Sequence, residues 1–524
     1  MTDTHSSVQR ANFAVNPVLV MRVIIVALGG QWLASHSVSA AERPLVTPLA
    51  HAHYSRAGTS SEISIFMDAL VARYPALVSK EIIGQSVQGR DIEALRLRTR
   101  AKGSTERLEV LLVGSQHGAA EPAGGEALLE IALEFIMAKP PPWRDLELTL
   151  IPNANPDGRD LHRRSNANHV NINTDFVLLS QPESRVLKTA LARFAPQVVL
   201  DAHESAVLKR QSLARDGFLT DFDAQFEVGN NPSIPAAVRD FTLNNLLPTL
   251  LARVTQSGLP AQRYIGEITS LKQPITNGGL TLRNFRNTAG LSGAVSFLIE
   301  TKLDSRTDTF KTYRNIAVRV DRQLKCIHAF LDLVHERRAD ILERVRAARA
   351  ALHVEPLTLF AAYVEDAAHP IVAIPLRRLA TRKLENHEFR DHRKVIADQV
   401  MAYPPMLVIT AHTEVLRELL ERHDINFWSV SQPLTAEVIA SRFGPVSNAA
   451  ARWENTQQTK ASIDLSPHSL LIDLAQPNGR YAALLLDPRS TSSVFRTPEY
   501  AALLKPDEDF FIYRTFKGVT RVAP

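Results

Sequence analysis

The stretch Gln116-His-Gly-Ala-Ala-Glu121 sets an imidazole and a carboxylate four positions apart, directly after the apolar run Leu108-Glu-Val-Leu-Leu-Val-Gly114. These are two of the three protein donors that a catalytic zinc takes, the fourth position being left open. Taken alone, the pair reads at least as well as a histidine and a glutamate in a surface loop. The weight therefore falls on whether the chain supplies a third donor and a base.

A second apolar run, Pro196-Gln-Val-Val-Leu200, leads into Asp201-Ala-His-Glu204, so His203 follows a strand-like segment just as His117 does. Two such loops can meet at one edge of a sheet, and His117, Glu121 and His203 would then supply three ligands to one zinc ion. Hydrolysis at such a centre also needs a carboxylate that takes a proton from water and passes it to the leaving group. Glu300 closes a third apolar run, Ala294-Val-Ser-Phe-Leu-Ile299, and is the candidate base, with pairing to Lys302 as its structural alternative. Arg164, in a long polar segment, is suited to polarise a carbonyl and stabilise an oxyanion, although one arginine in such a loop is also an ordinary solvated residue. Cys326 is the only cysteine, so any zinc here must be held by histidine and carboxylate, and no internal disulfide exists.

The elements that must position these groups follow from periodicity and turn chemistry. The branched, uninterrupted run at 108–114 reads as a buried strand, and Pro122 suits the first turn of a helix over 123–135. A strand at 146–152 runs into Asn153-Ala-Asn-Pro-Asp-Gly158, where Pro fixes one dihedral and Gly is free to take a positive one. A helix over 182–194 precedes the run that ends at His203. Upstream, a helix at 61–74 and two alternating strands at 78–83 and 92–98 flank Gly84-Gln-Ser-Val-Gln-Gly-Arg90, a hairpin link with a glycine near each end. Downstream, Ile316, Val320, Leu324, Ile327, Leu331 and Val334 mark one face of a single long helix over 310–350. Glu355-Pro356 interrupts it and marks a domain boundary. Beyond lie strands at 357–364, 371–375, 469–474 and 510–514, with a β-α-β unit over 406–428, which together make a smaller α+β region without a second set of catalytic residues.

A chain of 524 residues exceeds the size at which one core stops growing, and 45% hydrophobic with 22% charged residues is an ordinary globular balance. The net charge of +5 is small for this length, and no basic run is interleaved with aromatics, so nothing suggests a nucleic-acid partner. Met21 to Ala40 has a charged start, a short apolar centre and the ending Val38-Ser39-Ala40, the pattern of a secretory signal cleaved after Ala40. The twenty residues before Met21 fit that pattern poorly, so either the charged region is unusually long or translation begins at Met21. Export without disulfides suits a bacterial periplasm, with no stable membrane insertion after cleavage.

In this order the residues resemble the zinc carboxypeptidase family, the funnelins. Gly84-Gln-Ser-Val-Gln-Gly-Arg90 resembles the family's early hairpin, His117 and Glu121 its first two ligands, and Asn155-Pro-Asp-Gly158 the turn before its substrate loop. Arg164-Ser-Asn-Ala-Asn-His-Val-Asn-Ile-Asn173 is similar to the Arg…Asn segment, His203 to the third ligand, and Phe297-Leu-Ile-Glu300 to the segment carrying the base. The resemblance implies a mixed, mostly parallel eight-stranded sheet flanked by helices, with the site at one end of the strands. It implies that His117, Glu121 and His203 hold one zinc ion, Arg164 polarises the carbonyl, Asn173 binds the substrate terminus and Glu300 activates water. The implied organisation is a signal peptide at 1–40, a catalytic domain at 41–354 and a C-terminal extension at 355–524, similar to that of some bacterial members.

Three features depart from the family. Glutamate usually follows the first histidine by three residues, whereas Ala119-Ala120 makes it four here. Asn173-Thr174 stands where the family has Asn-Arg, and a threonine hydroxyl cannot make the bidentate, charge-assisted contact that a guanidinium makes with a carboxylate; Arg283, Arg286 and Lys302 are the cations that other segments offer in its place. No tyrosine precedes Glu300 closely, Tyr264 being the nearest upstream. The function so implied is a zinc-dependent carboxypeptidase acting on a peptide near its terminus, with cell-wall peptides as a fitting substrate. A zinc amidase or deacylase on a small acylated amino acid, and a metal-free binding protein of the same fold, are the alternatives.

Overall fold

The computed structural model describes residues 44–99, 107–206, 213–220, 222–303, 315–430, 432–443, 457–505 and 508–516. The signal-like stretch at 21–40 lies outside them. Among the described residues no helix is long and apolar enough to cross a membrane.

Nine strands lead up to and through the site region: β1 (Val78–Gln85), β2 (Asp91–Leu97), β3 (Leu108–Gly114), β4 (Leu146–Ile151), β5 (Val198–Ser205), β6 (Phe218–Thr220), β7 (Ala224–Val228), β8 (Ala261–Arg263) and β9 (Val295–Lys302). All but β6 form one mixed eight-stranded sheet in the order β1-β2-β4-β3-β5-β9-β7-β8. The central run β4-β3-β5-β9 is parallel, while β1-β2, β2-β4 and β9-β7 pair antiparallel. Central parallel strands are covered on both faces, which is why β3 and the first half of β5 read as apolar runs rather than alternating ones.

On one face, the helices Ser60–Arg73, Ala123–Met137 and Ile316–Glu336 bury Phe66, Leu128, Phe135, Ile327 and Phe330 in the largest core. On the other face, Phe176, Leu187, Leu191 and Phe285 pack against Leu111, Val113 and Val199. The first of these helices starts one residue earlier than its pattern suggests, because Thr59 caps it and Glu62 reaches back to the Thr59 N–H, closing a capping box.

Two expectations are corrected. The single helix over 310–350 is two helices, Ile316–Glu336 and Arg338–Ala351, broken at Arg337 (φ −95°, ψ 16°); residues 310–314 lie outside the described ones. The break lets each helix present its apolar stripe to a different neighbour, Ala123–Met137 for the first and Ala236–Phe241 for the second. Secondly, β5 and β9 run on past Leu200 and Ile299 and pair through Ser205 and Lys302, so His203 and Glu300 lie within strands rather than after them.

Residues after Glu355 build a six-stranded antiparallel sheet with a core containing Leu407, Leu419, Ile472 and Tyr500, which also takes in Val177, Leu282 and Leu291 from earlier in the chain. Strand Ile371–Arg378 pairs with Leu384–Arg390 on one side and with β6 on the other. In the β-α-β unit, Met406–Ile409 and Trp428–Ser429 both pair antiparallel with Leu470–Asp473, which lies between them.

Candidate metal centre

The site begins where β3 ends. Ser115 takes a left-handed φ of 60°, and a single 3-10 turn, Gly118–Ala120, separates His117 from Glu121. Gly118 also has a positive φ of 50°, and a Cβ there would lie 2.5 Å from the carbonyl carbon of Gly158, so only glycine lets the Asn-Pro-Asp-Gly turn approach this closely. Ala119 N–H donates to Arg163 O at 3.1 Å, locking the two turns together. The residue that lengthens the His-Glu spacing is thus absorbed in the 3-10 turn. His117, Glu121 and His203, all buried, bring their donor atoms within 4.8 Å of one another.

The early hairpin serves this turn from beneath. Asp157, fully buried, accepts from Ser86 Oγ at 2.8 Å, Gln88 N at 2.9 Å and Arg90 Nη1 at 2.6 Å. The spacing Ser86-x-Gln88-x-Arg90 therefore exists to satisfy one carboxylate. Asn155 caps the short helix Pro156–Asp160 through Gly158 N and donates to Gln116 O, tying the turn to the residue before His117.

His203 and Glu300 are register partners on adjacent parallel strands, so their side chains leave the sheet on one face, while Glu204 and Thr301 leave on the other. On the first face, His203 Nδ1 lies 2.9 Å from Glu121 Oε2, and Nε2 lies 3.0 Å from Asp201 Oδ2 and 3.3 Å from Asn173 Nδ2. Gln116 Nε2 donates to the other Asp201 oxygen at 2.6 Å. On the second face, Arg319 clamps Glu204 through Nε (2.7 Å) and Nη2 (2.9 Å), and Glu204 also accepts from Ala123 N, the first residue of the helix after Glu121. Gln323 Nε2 bridges His203 O and Thr301 Oγ1 at 2.7 and 2.8 Å.

Burial pushes the His117 imidazole down to about 3, so it is neutral with a lone pair to offer. Burial acts to raise the Glu121 carboxyl, but His117, Arg164 and the His203 hydrogen bond outweigh it and hold Glu121 well below the usual carboxylate range. For His203, burial acts downward, and Asp201 and Glu121 overcome it to raise the imidazole well above its ordinary value. Glu300 is pushed up to about 7, first by burial and then by the Glu121 charge, with His203 and Arg164 opposing. Tyr264 feels the Glu300 charge as well as burial, both of which raise its phenol. It lines a solvent-open cleft of about 610 Å³ together with Ser205, Gln225 and Glu267, and Gln225 is the β7 register partner of Glu300.

The donor set fits a zinc-type cation. His117 Nδ1 is buried without a hydrogen-bond partner, the other two donors are an imidazole and an ionised carboxylate, and three protein ligands leave a position open. Of the remaining expected residues, Arg164 is half-exposed and donates to Glu121 Oε1 through Nη1. Asn173 is half-buried, its amide shared between His203 and the Phe285 N–H. Thr174 is exposed, and its hydroxyl donates to Asn171 O at 3.0 Å.

Asp201, Arg319 and Gln323 also hold the site together, although no motif in the sequence marks them. Asp201 precedes His203 by two, the spacing that puts both on one face of a strand. Arg319 and Gln323 fall on the apolar face traced by Ile316, Val320 and Ile327, where a polar side chain needs a buried partner.

The zinc carboxypeptidase family profile matches residues 63–189, which include His117, Glu121, Arg164 and Asn173; His203 and Glu300 lie beyond them. Carboxypeptidase 2 of Trichophyton tonsurans is 30% identical over 208 residues, covering 38% of this chain and 38% of that one. Human carboxypeptidase D is 31% identical over 161 residues, 27% of this chain and 12% of that one. The chain thus spans well under half the length of these relatives. A metallo-carboxypeptidase from Pseudomonas aeruginosa, solved with (2-guanidinoethylmercapto)succinic acid, overlaps 53% of this chain and 69% of its own at 20% identity and a TM-score of 0.38.

Proposed function

We propose, for a chain that belongs to the zinc carboxypeptidase family, that it hydrolyses an amide bond near the end of a peptide, with His117, Glu121 and His203 holding one zinc ion and Glu300 as general base. The observation that carries this reading is the meeting of three buried donors with Glu300, the direct register partner of His203. When bound, zinc supplies a Lewis acid that polarises a carbonyl and makes water acidic enough to be deprotonated near neutral pH. Neutral His117 and ionised Glu121 are in the protonation states that a cation requires, whereas His203, raised by Asp201 and Glu121, would release a proton as a cation binds. Glu300, at about 7, can both accept a proton from water and return it to the leaving amine. Arg164, half-exposed beside Glu121, is the donor assigned in this reading to the scissile carbonyl oxygen as charge develops there, a role that would draw it from Glu121. Asp201 and Asn173 both meet His203 at Nε2, which leaves Nδ1, beside Glu121, as the nitrogen turned to the site.

The signal-like Met21–Ala40 stretch and the lone cysteine support export into a bacterial periplasm, with cell-wall peptide stems as substrate. The test is a mixed peptide library digested by zinc-loaded protein and read by mass spectrometry. Wild type should trim termini, and Glu300→Gln should not, while both retain one zinc per chain. Equal cleavage by the two proteins would overturn the assignment of Glu300.

A further inference from the structure

The family likeness leaves open what would receive an anionic substrate group beside Asn173, since Thr174 is neutral and its hydroxyl is already committed to Asn171 O. Arg286 is buried, and its Nε on Val228 O (3.1 Å) with its Nη2 on Gly279 O (2.9 Å) and Asn230 Oδ1 (3.3 Å) hold the loop before its helix. Lys302 stands on β9 opposite Ser205. Arg283 is different in both exposure and placement. Its Nε donates to Thr174 O at 3.4 Å, its own carbonyl accepts from Phe176 N, and two residues later Phe285 N–H donates to Asn173 Oδ1. The loop that carries Arg283 is therefore stitched to the 171–176 turn at three points, and the turn in turn touches His203. Among the described residues Arg283 forms no ion pair, and its Nη nitrogens donate to nothing.

We infer that Arg283 is the specificity residue that receives the free carboxylate of the substrate's terminal residue, standing in from a different loop for the cation that position 174 lacks. An exposed guanidinium without an acidic partner, held next to the amide that borders the reacting centre, is the group that discriminates a carboxylate from a neutral amide, through its fork of parallel N–H donors. The inference rests on the peptidase reading for the substrate class, and it is tested by binding so that the two can fail separately.

Zinc-loaded Glu300→Gln protein is titrated calorimetrically with N-acetylated dipeptides and with the same dipeptides as C-terminal amides. The acid should bind roughly 10- to 100-fold more tightly than the amide, the range of a charge-assisted hydrogen bond. Adding Arg283→Ala should reduce that preference to about twofold or less, and adding Thr174→Arg to the Arg283→Ala protein should restore part of it. A preference unchanged by Arg283→Ala, or none in its presence, overturns the inference. A preference that depends on Arg283 in a protein whose wild type cleaves nothing would uphold it and sink the peptidase reading instead.

Discussion

Replacing Arg319 by leucine should damage the metal centre without touching a donor. Arg319 is 1% exposed and Glu204 2%, and the two are joined by a bidentate pair of 2.7 and 2.9 Å. Removing the guanidinium leaves an ionised carboxylate in the core with only the Ala123 N–H to answer it. Breaking a buried pair from one side costs about 3–5 kcal/mol, because the remaining charge is uncompensated. Removing both charges with Arg319→Leu and Glu204→Leu takes the partners of two neutral groups, the Ala123 N–H and the Ala120 carbonyl, but strands no charge, which costs about 1–3 kcal/mol. The double variant should therefore be the more stable of the two. Glu204 follows His203 directly and pins the helix that follows Glu121, so the single variant should also bind zinc roughly 10- to 100-fold more weakly. The assay is urea unfolding of the zinc-free proteins, paired with competition for zinc against a chelator. A single variant within about 1 kcal/mol of wild type, or a double variant as unstable as the single one, would refute the reasoning.

Other expectations follow from single contacts. Gly125→Ala would set a Cβ 2.1 Å from Pro152 O, a backbone atom that cannot swing aside; thermal unfolding should report a loss of about 1–3 kcal/mol. Asp157→Asn should cost roughly 2–3 kcal/mol by weakening three hairpin bonds, one of them to Arg90, and hydrogen exchange should show faster opening at residues 84–90. Chelating zinc should lower the unfolding temperature, and added zinc should restore it in a concentration-dependent way. Stability should fall as pH rises from 4.5 to about 7, because Glu109, raised to about 7 by burial and by its register partner Glu147, keeps a proton in the native state that the unfolded chain has released. Below that window both states are protonated and the penalty vanishes; Glu109→Gln should flatten the falling limb, by up to about 3 kcal/mol at pH 8.

Strands and helices whose apolar faces meet the core announce themselves: β3, the helix Pro182–Phe194 and the strand Leu357–Val364 are found with the bounds that their periodicity gives. The strands Leu384–Arg390 and Gln457–Leu465 are not legible in this way, because most of their side chains face solvent and little burial enforces alternation. At the site, the order and chemistry of His117, Glu121, His203 and Glu300 can be read from the chain because each follows an apolar run. Two things cannot. The 3-10 turn that absorbs the longer His-Glu spacing depends on Gly158 and Arg163 crossing over Gly118, a contact between turns. The partnership of Arg283 with Thr174 joins positions 109 residues apart through backbone that has no pattern of its own.

The pairing of β6 with Ile371–Arg378 sets a timetable for the molecule. Leu213, Ile265 and Ile268, which line the cleft next to Glu300, share one core with Phe218, Ile374, Leu376 and Phe389, and Ile275 is hydrogen-bonded through its backbone to Arg390 and His392. During synthesis the three donors and Glu300 all emerge before the residues that back this wall. A chain released only as far as position 350 would hold His117, Glu121, His203 and Glu300 but lack Ile374, Leu376 and Phe389, which back the wall of the cleft beside Glu300. The wall of the cleft is thus completed after the residues of the site have been made, by the strands Ile371–Arg378 and Leu384–Arg390.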